Sequence, residues 1–178
     1  MIQTKNLTLV PHGPDHLVTL IEKPDEYEAR TGFPAAVGLR EFFVSGEVSQ
    51  EFVESMRALS EPDPWRLGFA VVHREARMVI GSGGFKGPPD SEGMVEIAYG
   101  IAPPFQRRGY ATEVAKALVD YALGDGSVRL LRAHTLRESN PSTKVLRKCG
   151  FEFVGEVIEP DDGPVWRWER AASGRTDR

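Results

Sequence analysis

The sequence predicts an α+β fold: a mixed, mostly antiparallel central sheet flanked by helices. Three observations carry this. Residues 66–101 hold three β-rich runs joined by turns, the pattern of an antiparallel meander. Residues 110–123 carry an apolar stripe at helical spacing, and residues 140–150 a second helix with start and stop signals. After the meander the order is helix, strand, helix and two strands, without the steady alternation of a doubly wound fold. A chain of 178 residues suits one domain, placed at 1–170, with a disordered tail at 171–178.

Each element has a local reason. Residues 7–10 read as a short strand, with Leu7 and Leu9 alternating and Pro11 stopping it. Residues 15–22 carry a short helical pattern. Residues 23–60 contain Pro24 and Pro34 and are expected to form short helices. One spans 49–59, with Phe52, Val53, Met56 and Leu59 on one face. Residues 61–64 are a proline-rich loop. Strands are expected at 66–73, 78–85 and 94–101, the first two joined by a hairpin at 74–77. Gly81, Gly83 and Gly84 suit a strand that bulges or packs closely. In the third strand Val95, Ile97 and Tyr99 alternate with Glu96 and Ala98. Residues 103–108 form a loop. The helix at 110–123 places Val114, Ala115, Leu118, Tyr121 and Ala122 on one stripe, and Gly124 ends it. A strand follows at 128–136. Asn140 caps the next helix, with Pro141 in its first position and Gly150 at its end. Residues 151–159 and 165–169 close the chain as paired strands.

Composition narrows the function. Net charge is −4, which argues against a nucleic-acid surface. Cys149 is the single cysteine, so no internal disulfide forms and a reducing, cytoplasmic setting is expected. Residues 1–10 lack the apolar run of a signal peptide, and no stretch reaches the roughly 18 apolar residues of a membrane span. His12, His16 and His73 are scattered without metal-ligand spacing, so no metal is expected.

The chemistry concentrates at Gln106-Arg107-Arg108-Gly109-Tyr110-Ala111, between a strand end and a helix start. A helix N-terminus offers unpaired N–H groups and partial positive charge. Gly109 lets the chain approach a ligand, Ala111 keeps the first turn open, and two arginines add charge. Such a turn suits a pyrophosphate. The pattern Gln/Arg-x-x-Gly-x-Gly/Ala fixes three positions and arises by chance on the order of 0.1–0.2 times in such a chain. An ordinary strand-to-helix connection is the alternative. No P-loop run exists. Gly81-Ser82-Gly83-Gly84 lacks the third glycine and the following helix of a dinucleotide loop.

With Asn140, Ser142 and the run Val145 to Phe151 downstream, the chain resembles the GNAT superfamily of N-acetyltransferases. Within it, residues 4–10 and 79–85 are similar to the branch that includes ribosomal-protein N-terminal alanine acetyltransferases. The likeness covers about two thirds of the chain and is weakest at 23–60. It implies acetyl-CoA as cosubstrate. Tyr99, Gly100 and Ile101 would then offer main-chain groups to the pantetheine where two strands splay. Gln106, Arg107, Arg108, Gly109, Tyr110, Ala111 and Thr112 would hold the pyrophosphate, and Asn140 flanks the cofactor. Asn140 lies one residue closer to the Gly-Phe pair than the family's usual Asn. A homodimer is a further implication.

Acetyl transfer needs a neutral amine. An alkyl ammonium of pKa about 10.4 is deprotonated in about one part in a few thousand at pH 7, so a general base matters most. Glu96 is the candidate, by its outward phase on the strand and by resemblance; a solvated strand carboxylate is the alternative. A backbone N–H near Ile101 or Ala102 would serve the oxyanion. The family's usual acid, a Tyr four residues before the Gly of the second helix, is Leu146 here. Ser142 is the substitute donor, or else a helix cap. His134, in a strand, is expected to be structural, as is Cys149. Lys144, Arg147 and Lys148 form a solvated face or touch the 3′-phosphate.

Three function classes follow: an acetyltransferase acting on a small-molecule amine or a protein N-terminus, a degenerate acyl-CoA-binding sensor or scaffold, and an unrelated α+β binding domain. Asp25, Glu26, Glu28, Glu41, Glu47, Asp90 and Glu92 suggest a cationic acceptor such as a polyamine, an aminoglycoside or a basic N-terminus.

Overall fold

A computed structural model describes residues 1–44 and 50–172, except the side chain of Phe52. Eight strands form one sheet in the order β1-β2-β3-β4-β5-β6-β8-β7. They are β1 (Ile2–Gln3), β2 (Leu7–Pro11), β3 (Phe69–His73), β4 (Met78–Phe85), β5 (Met94–Ile101), β6 (Leu130–Thr135), β7 (Glu152–Glu159) and β8 (Gly163–Ala171). All neighbours pair antiparallel except β5 with β6. The helices are α1 (Pro14–Glu22), α2 (Tyr27–Thr31), α3 (Glu41–Val44), α4 (Gln50–Arg57), α5 (Tyr110–Leu123) and α6 (Pro141–Lys148). This is the α+β architecture expected. Among the described residues no helix is long and apolar enough to cross a membrane.

The two faces of the sheet hold separate cores. Val114 and Leu118 of α5 bury against Ile80, Val95, Ile97 and Leu131, with Leu146 of α6 joining them. Each such side chain contributes about 1.5–3 kcal/mol on burial. On the opposite face Leu20 of α1, Tyr27 of α2 and Leu39 cover Val72 and Val79. A bulge in β4, where Val71 faces Gly81 but Val72 faces Val79, leaves Ile80 extra. Val79 and Ile80 therefore serve opposite cores. Gly83 lets α5 approach, since a Cβ there would lie 2.7 Å from Val114 Cγ1, and one at Gly84 would lie 2.6 Å from Gly68 Cα. The glycine run is thus a bulged, closely packed strand.

Two boundaries differ from expectation, and the strand order adds a feature no local pattern signals. The strand expected at 66–73 starts only at Phe69. The Asp63 carboxylate accepts the N–H groups of Trp65 and Arg66, which coils the chain into a turn first. The chain's last paired strand inserts between β6 and β7, so β8 rather than β7 continues the sheet. The tail expected from 171 is ordered at its start: β8 includes Ala171, and the Ala172 N–H donates to Arg129 O at 2.9 Å. Residues 173–178 lie outside the described residues, as does Ser49 of the helix expected at 49–59.

Glu113 joins α5 to the N-terminal hairpin. Its carboxylate accepts from Thr4 Oγ1, Asn6 N (2.6 Å), Asn6 Nδ2 (3.0 Å) and Leu7 N (3.2 Å). Burial disfavours its charge, but the bonds from Asn6, Thr4 and Leu7 outweigh burial and hold the carboxyl below the ordinary value of 4.5. The depressed folded value means that this stabilisation is complete above about pH 4.5 and is lost as pH falls through the lower folded value. Glu113→Ala leaves these donors unpaired and is expected to destabilise the fold by about 1–3 kcal/mol at pH 7. Urea unfolding checks this, and the gap to the unaltered protein should shrink at pH 3.

Candidate active site

Two cavities meet at the open side of β5. One, of about 630 Å³, lies between the starts of α5 and α6. The other, of about 800 Å³, lies on the face covered by α1, α3 and α4. They share Phe42, Tyr99 and Gly100. The opening exists because β5 and β6 pair only from Met94–Glu96 to Leu130–Arg132 and then part. Glu96 O accepts from Lys86 N and Ala102 N donates to Ile80 O, so even-numbered residues of β5 address β4. By alternation Tyr99 and Ile101 turn main-chain groups to the gap, while Gly100 faces β4. Gln106 Nε2 donates to Ile101 O at 2.8 Å, tying the turn to the strand end.

The turn leading into α5 is built to leave amides bare. Arg107 and Gly109 both adopt left-handed backbone, with φ of 61° and 83°. Gly109 is the N-cap of α5 and supplies no side-chain acceptor. Glu113 N–H is the first to find a partner, Gly109 O at 3.1 Å. The N–H groups of Tyr110, Ala111 and Thr112 thus have no partner in the helix. Gln106, Arg107 and Gly109 to Thr112 line the smaller cavity. Arg108 does not; its guanidinium lies 5.6 Å over the Phe105 ring. The Tyr110 ring points the other way, onto His73. His73 Nδ1 accepts the Ala76 N–H at 3.1 Å, so Nε2 carries the proton and donates to Tyr110 Oη at 2.8 Å. Nothing local in the sequence signals this anchor, because its partners are 37 residues apart.

The start of α6 is treated oppositely. Asn140 Oδ1 accepts from Thr143 N at 3.0 Å, and Thr143 Oγ1 accepts from Asn140 N at 3.3 Å, closing a capping box. Asn140 lines the cavity but spends its carbonyl on the helix. The cap is therefore not Ser142, which lines the cavity together with Tyr99. Burial pushes the Tyr99 phenol well above its usual range, against the opposing effect of Ser142, so it stays protonated at neutral pH. Lys144 and Lys148 line this cavity too, whereas Arg147 stacks 5.4 Å over Trp168. Cys149 is buried, and burial raises its thiol.

Glu96 points to the other face, so it and Ser142 do not share a cavity. Its Oε1 lies 2.7 Å from Lys86 Nζ and 2.9 Å from His134 Nδ1. Arg167 Nε, which only donates, bonds His134 Nε2 at 3.2 Å. The His134 proton therefore sits on Nδ1 and goes to Glu96. Burial disfavours the Lys86 ammonium, but Glu96, Asp162 and Glu159 more than compensate and hold it above the usual lysine value. Glu96 lines neither cavity; Lys86 lines the larger one. Ser82 also lines it, held by the buried His12 through Nε2 at 3.2 Å. Burial, with His16 adding to it, pulls His12 down to about 3, so it stays neutral. Among the described residues its Nδ1 has no partner, which leaves the proton on Nε2 for Ser82.

The carboxylates singled out for a cationic acceptor are elsewhere. Of Asp25, Glu26, Glu28, Glu41, Asp90 and Glu92, none lines the larger cavity, and Glu47 lies outside the described residues. Glu26 pairs with Lys23 and Arg30, and Asp90 accepts Glu92 N and Met94 N within its own turn.

Comparison with known proteins identifies the family. Residues 6–152 match the acetyltransferase (GNAT) domain family model. The uncharacterized N-acetyltransferase YjdG of Bacillus subtilis is 33% identical over 81 residues, covering 46% of this chain and 48% of that protein. The chain thus spans about half the length of the curated relatives it matches. The crystal structure of a ribosomal-protein-S5-alanine acetyltransferase from Vibrio fischeri superposes with a TM-score of 0.68 at 14% identity, over 97% of this chain and 96% of that one. That of AAC(6')-Ib in complex with paromomycin and acetyl-CoA gives 0.63 at 18% identity, over 98% and 99%. At those identities the likeness is one of fold. The match of the family model across most of the sequence goes further: this chain belongs to the acetyltransferase (GNAT) domain family.

Proposed function

We propose that the protein transfers the acetyl group of acetyl-CoA to a primary amine, on a small molecule or a protein N-terminus, by direct attack. One observation carries this. The bare amides of Tyr110, Ala111 and Thr112 open on a cavity that continues, past Tyr99 and Gly100, into a second one on the other face. The first amides bind the pyrophosphate, with Lys144 and Lys148 at the same wall for a further phosphate. Tyr99 and Ile101 offer main-chain groups to the pantetheine, as a strand edge does to an added strand. The thioester then lies at the junction, where the acceptor amine arrives from the larger cavity.

Glu96, which lines neither cavity, takes the ammonium proton through a chain of waters. Its Oε1 is engaged, so Oε2 does the accepting, and His134 and Lys86 fix the carboxylate in place. The Ile101 N–H faces the gap and stabilises the oxyanion. Ser142 donates to the leaving sulfur and is resupplied by the Tyr99 phenol. A thiol of pKa about 8.5 leaves readily, so this donor is a modest contributor.

Thiol release from acetyl-CoA across an amine panel tests the proposal. Tyr99→Phe should lower kcat by about 10- to 100-fold, at or below the low end for a general acid, with KM for acetyl-CoA unchanged. Protection from thermal unfolding by CoA without any thiol release would instead favour a binding-only protein.

A further inference from the structure

The larger cavity shows what kind of amine it accepts. Its walls are apolar, with Phe42, Phe43, Met56 and Leu67 on one side, and its floor is small, with Gly84, Ala98 and Gly100 on the strands. The only charged side chains that line it among the described residues are cations, Arg66 and Lys86. The carboxylates behind them are already used. Asp63 takes the Arg66 guanidinium at 2.6 Å along with two amides of its own turn. Glu96 takes Lys86 at 2.7 Å, with Asp162 at 3.8 Å.

Length matters as well. Ser82, Gly84 and Lys86 follow one another on the same face of β4, and Ser82 sits opposite Gly100 at the junction of the cavities. Four residues of strand span roughly 13 Å. An acceptor reaching from the junction toward Lys86 passes mostly apolar and glycine surface, with Ser55 and Ser82 as uncharged polar side chains on the wall. A second ammonium on such a molecule would lose its hydration against these walls and meet carboxylates that Lys86 already engages.

We infer that the acceptor is an amine with one cationic centre on an apolar body, which excludes polyamines and other polycations. This assignment presupposes acetyl transfer from CoA, as proposed above. A small alkyl or aromatic amine and a protein N-terminus followed by apolar residues share the required chemistry.

Matched substrates test it. Heptylamine and 1,7-diaminoheptane share the reacting end and differ at the far one; Ala-Leu-Leu amide and Ala-Lys-Lys amide repeat the contrast for an N-terminus. We expect kcat/KM at least tenfold higher for the apolar member of one pair, carried by KM, and the pair that responds identifies the source. Lys86→Gln should cut the preference of heptylamine over the diamine to less than about threefold. Equal or better use of the dicationic members overturns the inference while leaving acetyl transfer standing. If no amine is turned over, thermal protection of the CoA-loaded protein decides. Stabilisation by heptylamine and not by the diamine supports the inference; equal effects or none overturn it. Calorimetry with CoA reports separately on the cosubstrate site.

Discussion

Gly109→Val abolishes CoA binding and leaves the protein folded: that is the expected result of titrating the variant by calorimetry beside a thermal melt. Gly109 sits at φ 83°, a conformation that costs an L residue about 1–2 kcal/mol. For a chain of this size that lowers Tm by roughly 2–8 °C. A Cβ at Gly109 meets no protein atom within 4 Å, so the added methyls enter open space at the cavity wall. There they displace the phosphates from amides that α5 leaves uncapped. Losing two bonds to a charged group, about 1.5–3 kcal/mol each, weakens binding by more than about 100-fold. If the folded variant binds CoA as tightly as the unaltered protein, the bare helix start is not where the cosubstrate is held.

Glu96→Gln is expected to reduce kcat by about 10²–10⁴-fold at pH 7, the range for a general base, with CoA affinity kept. The substitution is well posed because glutamine retains an oxygen for Lys86 and His134 and removes only the charge. Affinity is kept because Glu96 does not line the smaller cavity. As pH rises toward the amine's own value of about 10.4, the acceptor deprotonates unaided and the deficit should narrow. A pH profile of thiol release measures both effects. Full activity of the variant at neutral pH would remove Glu96 as the base.

Much of the architecture was legible because it is written in local patterns. The stripe Val114, Leu118, Ala122 has helical spacing, and the observed α5 is the helix expected at 110–123. Asn140 before α6 read correctly as a side-chain cap, whereas the left-handed backbone of Gly109 before α5 emerged only in the structure. The short helices between Lys23 and Ser60 were harder to delimit. Their weak patterns gain meaning only from packing, as with Tyr27 and Leu39 against Val72 and Val79. Arg66 to Gly68 runs straight into the β-rich stretch from Phe69, yet Asp63 bends it into a turn.

The site divides along the same line. Residue order alone determined that a glycine-entered helix follows a strand, and hence that unpaired amides open at its start, since helix termini are set by neighbours a few residues away. Only the tertiary structure decided that Glu96 is gripped by Lys86 and His134, that Glu113 holds the N-terminal hairpin, and that Ser142 meets Tyr99. Those partners lie 10 to more than 100 residues apart in the chain. No period or spacing encodes them, because they exist only where sheet register and helix docking bring distant side chains within reach.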